Sequence, residues 1–257
     1  MSRVRLGAVS YLNAAPLVEG LAADPAFALA ADLPSRVAAQ LHAGQIDLGM
    51  IPSIEYARGD YALVPGVAIG SRGPVRSVLL FHRGAPDAIR RVALDTSSRT
   101  SVALCRVLLR ERLGRDPEYV DHPPDLRAML EAADAALLIG DPALYDTSGL
   151  PRLDLGEEWV RTTGKPFVFA FWAGRPGAVQ AAHVERLQEA LLDGLARIPA
   201  IAAGYAGGDR APLNESYLRE NIAFAFGREE QAGLLEFYRR AHALGLIPRV
   251  PELRFLP

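Results

Sequence analysis

Apolar and polar positions along the chain trace one pattern twice. An apolar run over Val4–Val9, interrupted by Arg5 and Gly7, predicts a first strand. The polar turn from Ser10 to Pro16 follows it and leads into a helix expected to begin at Leu17–Leu21. A second strand is predicted at Phe27–Ala31. The next helix has Ser35 as its N-cap, carries Val37, Ala38 and Leu41 on one face and stops at Gly44. Ile46–Ile51 predicts a third strand, ending in Pro52-Ser53-Ile54-Glu55-Tyr56. The plan returns at Val92–Leu94, with a polar turn over Asp95–Ser101 and a helix over Val102–Arg112. A strand at Glu118–Val120, a helix capped by Asp125, and a buried strand at Ala135–Ile139 complete the second copy, which ends in Gly140-Asp141-Pro142-Ala143.

The two copies have nearly the same length, 42 residues from Val9 to Ile51 and 45 from Leu94 to Ile139. Tandem βαβαβ units of this kind predict two α/β lobes, whose strand C-termini carry polar turns facing a shared crevice. Two further apolar runs, Val75–Phe81 and Phe167–Trp172, read as strands that carry the chain from one lobe to the other and back. The expected division is a first lobe of residues 1–82 and 174–257 and a second of residues 83–173. Val184, Leu187, Leu191, Leu195 and Ile198 form one helical stripe, and a last helix over Glu229–Leu244 stops at Gly245; both complete the first lobe. A double crossing with a hinge and a cleft is the architecture of a type II periplasmic-binding-protein-like fold.

Composition narrows the function. The net charge of −2 is too small for an electrostatic footprint on nucleic acid, so an anionic guest must be held by local groups. No apolar run approaches membrane-spanning length. The N-terminus lacks a signal-peptide pattern, so the chain is expected to work in the cytoplasm. The single cysteine, Cys105, shares a helical face with Val102, Leu108 and Leu109 and reads as a core thiol. Five scattered histidines give no metal-ligand spacing, and neither a dinucleotide fingerprint, a Walker A loop nor a G-x-S-x-G elbow is present. No metal or cofactor is therefore expected. The turn around Asn13 remains: backbone N–H groups left free at a strand-to-helix turn suit an anion, and the Asn13 amide adds a donor. Ser10 and Asn13 serve equally well as simple helix caps. The residues alone lead to a two-lobed binder of a small, anionic molecule, of unknown oligomeric state.

Several segments carry a family resemblance, in order along nearly the whole chain. They are Ser10-Tyr11-Leu12-Asn13 with Pro16, Gly44–Ser53, Ser71-Arg72-Gly73-Pro74-Val75 with Ser77, and Gly164 with Pro166–Ala170 and Trp172. Together they resemble the chorismate dehydratases of the futalosine route to menaquinone. A sister family, the 1,4-dihydroxy-6-naphthoate synthases, shares the fold but opens with a Pro-Asn-Asp style turn where this chain has Tyr-Leu-Asn. The resemblance implies a cofactor-free loss of water from chorismate, a small dicarboxylate, with Asn13 as the catalytic donor. It further implies substrate contacts from Ser10, Tyr11, Ser53, Ser71, Arg72 and Ser77 on the first-lobe side. On the second-lobe side, Ser97, Arg99, Thr100, Ser101 and Asp141 are expected at the substrate, with Arg99, Thr100 and Ser101 at the start of the helix clamping a carboxylate as the lobes close. Each residue has a plainer reading as well: Ser53 as a helix cap, Ser77 as a bond within its strand, Arg72 and Arg99 as rim or surface charges, Asp141 as a turn cap. A small-anion binding protein without enzymatic activity is the alternative from a different class.

Overall fold

A computed structural model describes residues 3–205 and 208–257. Its strands form two sheets. In the first unit β1 (Val4–Val9) lies parallel to β2 (Phe27–Asp32) and β3 (Leu48–Pro52), with α1 (Pro34–His42) between the latter two. β4 (Ala62–Ser71) follows, and the chain then passes to β5 (Val78–His82). The second unit runs β6 (Arg91–Asp95), α2 (Thr100–Leu113), β7 (Glu118–His122), α3 (Leu126–Ala132), β8 (Ala135–Ile139), α4 (Gly140–Leu144), β9 (Arg152–Asp154) and α5 (Leu155–Thr163). β10 (Phe167–Gly174), α6 (Ala181–Ala196), α7 (Ile198–Gly204), α8 (Ala211–Ser216), β11 (Ala223–Phe226) and α9 (Arg228–Ala243) complete the chain.

The sheet orders are β11-β4-β10-β3-β1-β2 and β7-β6-β8-β5-β9. The repeat is visible in them: β2-β1-β3-β10 matches β7-β6-β8-β5, three parallel strands followed by an antiparallel one. This is the two-lobed type II architecture that the paired βαβαβ pattern predicts. β3, β5 and β8 are buried along their whole length, which is why they read as unbroken apolar runs.

Some expectations shift. β5 pairs within the second sheet and β10 within the first, so neither strand crosses between lobes. The crossings fall in the short connections before them, residues 72–77 and the stretch ahead of Phe167, rather than at 82/83 and 173/174. An apolar run announces burial but not the sheet it joins. The helix expected after the first turn is two short 3₁₀ turns, Leu12–Val18 and Leu21–Ala23, because Pro16 inside the first has no N–H to donate. Ser35 does not cap α1; Leu33 holds the N-cap position, and the Ser35 N–H donates to the Ser97 carbonyl of the other lobe. Asp125 caps α3 as expected, accepting from the Ala128 N–H. Ile198 opens a separate helix because Pro199 ends the run from α6.

The 3₁₀ turn that carries Asn13 is fixed from behind by α6. Gly194 faces it so closely that a Cβ there would lie 2.0 Å from the Pro16 carbonyl oxygen. Gly194→Ala is therefore expected to lower stability by about 2 kcal/mol, as overpacking of a close backbone contact does. Chemical denaturation of the two proteins measures it, and equal midpoints would contradict the packing described.

Candidate functional site

Between the lobes lies a narrow cavity of about 50 Å³, partly open to solvent. Its apolar wall includes Val9, Pro34, Pro52, Ile69, Val75, Val78, Ile139 and Phe169. Its polar groups are Tyr11, Asn13, Ser77, Ser98, Thr100 and Ser101, and among the described residues no Asp, Glu, His, Lys or Arg lines it.

Each polar group is held by a local device. β1 delivers the turn at residues 10–13, where the Ser10 N–H donates to the Asp32 carbonyl and the Ser10 carbonyl lies 3.0 Å from the Tyr205 hydroxyl oxygen. The Tyr11 ring lies against Gly140, whose φ of +67° suits glycine. A Cβ at Gly140 would sit 2.8 Å from that ring. The Tyr11 hydroxyl donates to Ser97 Oγ at 3.3 Å. Asn13 Oδ1 is buried without a partner, an unmet acceptor on the cavity side of the fold.

Across the gap, α2 begins at the cavity. The buried Asp95 carboxylate accepts from the Ser97 and Ile139 N–H groups, tying the end of β6 to the end of β8. Ser98 Oγ accepts from the Ser101 N–H and so caps the helix from within the turn. Thr100 Oγ1 accepts from the Ile54 N–H at 3.1 Å, a bond from one lobe to the other. Asp141 makes a second such tie: Oδ1 accepts from the Leu12 N–H at 3.2 Å and Oδ2 from the Tyr205 hydroxyl at 2.5 Å. Burial raises the pKa of both Asp95 and Asp141 above the ordinary carboxylate range, against the pull of these hydrogen bonds.

The cavity thus gathers Tyr11, Asn13, Ser77, Thr100 and Ser101 from the expected set. The others lie off its wall. Ser10 is exposed beside it and presents its carbonyl to Tyr205. Ser53 is buried and donates to the Val168 carbonyl at 2.7 Å, and it does not cap the turn that follows. Ser71 is buried behind the wall, against Gly156. Arg72 is engaged with Glu229 and Glu230 at the start of α9. Ser97 spends its groups on Tyr11 and Ser35. Arg99 pairs with the fully buried Glu55 at 2.7 Å, an ion pair between the lobes. Asp141 is likewise a tie between lobes.

Ser98, Tyr205 and Tyr217 are the groups that sequence reading misses. Ser98 stood in the polar turn without a distinguishing mark. The two tyrosines sit in a helical region remote in sequence, and only the fold brings them here. Cys105 is buried in α2 with its thiol pushed up to about 12, as a core cysteine should be. Among the described residues no group of three or more His, Cys, Asp or Glu is placed to hold a metal, and no helix is long and apolar enough to cross a membrane.

Comparison with known proteins places this geometry in context. A family model described as menaquinone biosynthesis matches residues 4–243. A Thermus thermophilus protein named chorismate dehydratase is 34% identical over 264 residues, covering 94% of this chain and 95% of its own. Among solved structures, AF1704 of Archaeoglobus fulgidus superposes with a TM-score of 0.74 at 19% identity, over 95% of this chain and 98% of its own. The aliphatic sulphonate binding protein SsuA of Escherichia coli gives 0.67 at 19% identity, over 100% and 94%. At such identities these two structures speak for the fold alone.

The raised carboxylates have a consequence for stability. Between the ordinary aspartate value of 3.8 and their raised values, the folded state binds more protons than the unfolded one. Their contribution to stability therefore falls as pH rises through that window and is constant above it. Asp95→Asn removes one of these groups, so urea unfolding at pH 4 and at pH 7 should show a smaller loss on going to pH 7 than the parent shows. An equal loss would contradict the assignment.

Proposed function

The chain belongs to the menaquinone biosynthesis family, and from that membership we propose that it removes water from chorismate, without a cofactor and in the cytoplasm, to give 3-[(1-carboxyvinyl)oxy]benzoate. It is then a carbon–oxygen lyase. The observation that carries this reading is the cavity between the lobes, with the Asn13 amide on one wall and hydroxyls at the start of a 14-residue helix on the other.

The chemistry follows from the guest. Removing the ring proton beside the enolpyruvyl ether puts electron density into the diene and onto the ring carboxylate. The group that took the ring proton then returns it to the neighbouring hydroxyl, whose carbon–oxygen bond breaks to release water and leave an aromatic ring. What the protein must do is stabilise the charge that develops between those events. Asn13 Nδ2 is assigned to the ring carboxylate, where a donor fixed in advance is worth most. Asn13 Oδ1 is assigned to the ring hydroxyl, which supplies the donor this buried acceptor lacks. Ser77, Ser98 and Ser101 would receive the second carboxylate, with the positive end of the α2 dipole behind the last two.

Among the described residues no carboxylate or imidazole lines the cavity to take the ring proton. The enolpyruvyl carboxylate of chorismate is assigned that role, the protein holding it against the C–H bond. Apolar neighbours such as Phe169 and Ile139 keep bulk water from the dienolate and lower the local dielectric around the donors.

Incubating the purified protein with chorismate should give a product lighter by the mass of one water. Unchanged chorismate would contradict the reading, and turnover of a bicyclic futalosine-derived substrate instead would point to the sister synthase. Asn13→Ala should lower kcat by on the order of 10²–10³-fold, the usual loss for one such donor, with a smaller change in KM. An unaltered kcat would remove Asn13 from the mechanism.

A further inference from the structure

Tyr217 is fully buried, yet its hydroxyl lies 2.7 Å from Ser77 Oγ, and Ser77 lines the cavity. The tyrosine opens a π turn, Tyr217–Asn221, between α8 and β11. The other end of that turn also reaches the crossing segment, where Asn221 Nδ2 donates to the Pro74 carbonyl at 2.9 Å. Single wide turns of this kind recur at functional sites. Here one holds the connection that carries Ser77 at two points.

Two hydroxyls this close share one hydrogen bond, and its direction matters. A phenol (pKa about 10 in water) is a far better donor than an alcohol, which favours Tyr217 giving its proton to Ser77 Oγ. Burial holds the phenol above its usual range, so it keeps that proton. Among the described residues the competing acceptor for Ser77 is the Val75 carbonyl at 3.4 Å, a long contact. With Tyr217 donating, the Ser77 proton is left to point into the cavity, and polarisation along the chain strengthens it as a donor.

We infer that Tyr217 is a positioning residue for this site, its hydroxyl donating to Ser77 Oγ and so committing the Ser77 proton to the bound carboxylate. The inference rests on the dehydratase reading for its substrate but not for its geometry. Tyr217 touches the guest only through Ser77.

The test is a cycle of Tyr217→Phe, Ser77→Ala and the double variant. With chorismate, Tyr217→Phe is expected to lower kcat on the order of tenfold, short of the loss for deleting a donor outright, while KM moves less. The double variant should be no slower than Ser77→Ala alone, because the tyrosine acts only through the serine. Wild-type kcat in Tyr217→Phe, or losses that multiply in the double variant, would overturn the inference. If the wild-type protein leaves chorismate unchanged, the dehydratase reading fails and calorimetric titration with benzoate decides this one. Tyr217→Phe and Ser77→Ala weakening benzoate alike supports it; unchanged affinity in Tyr217→Phe overturns it. Should Tyr217→Phe not fold, 3-fluorotyrosine at 217 alters donor strength with almost no change of shape. A changed kcat or benzoate affinity then supports the inference, and identical values overturn it.

Discussion

The hydrogen bonds that join one lobe to the other set everything else in this molecule. Asp141 on the second lobe accepts from the amide of Leu12, one residue before Asn13, and from Tyr205, which also lies beside the Ser10 carbonyl. Thr100 meets the Ile54 amide, Ser97 meets Tyr11 and Ser35, and Arg99 meets Glu55. None of these residues needs to touch a guest to matter. They bring the Asn13 turn and the start of α2 to opposite walls of one cavity, and without them the two halves of the site belong to separate surfaces. A carboxylate taken from water into such a contact costs energy that only well-placed donors offset, and the raised pKa of Asp141 records that cost.

Because the charged residues are spent on closure, the cavity is left with neutral donors. That division suits a reaction in which negative charge builds up and disperses within one turnover. A fixed cation beside the ring carboxylate would bind the ground state as tightly as the dienolate, which does not lower the barrier between them. Amide and hydroxyl dipoles fixed in a largely apolar wall respond more strongly as the charge gathers. The same wall explains how a chain of net charge −2 can serve a doubly acidic guest.

The paired βαβαβ units were legible because each buried strand is an apolar run and each site turn is a polar one. The Asn13 turn and the Thr100–Ser101 helix start stood out for that reason. The sheet joined by Val78–His82 or Phe167–Gly174 was not legible, since both are apolar on both faces and either sheet would bury them. Ser35 looked like a cap, but Pro34 already starts the helix and the Ser35 amide has a partner across the cleft. Arg99 looked like an anion clamp because nothing local reveals its pairing with Glu55, 44 residues earlier and fully buried. Tyr217 is 140 residues from Ser77, and no periodicity marks a tyrosine whose importance lies in a single oxygen.

The central claim is that neutral donors and the substrate's own carboxylate perform the chemistry, with no titrating group of the protein taking part. The pH dependence of kcat for chorismate addresses it most directly. The account predicts a profile that is flat from about pH 6 to pH 9, where an enzyme acid or base tuned for turnover would titrate. A bell or a limb in that range that disappears when one Asp, Glu or His is replaced would contradict it.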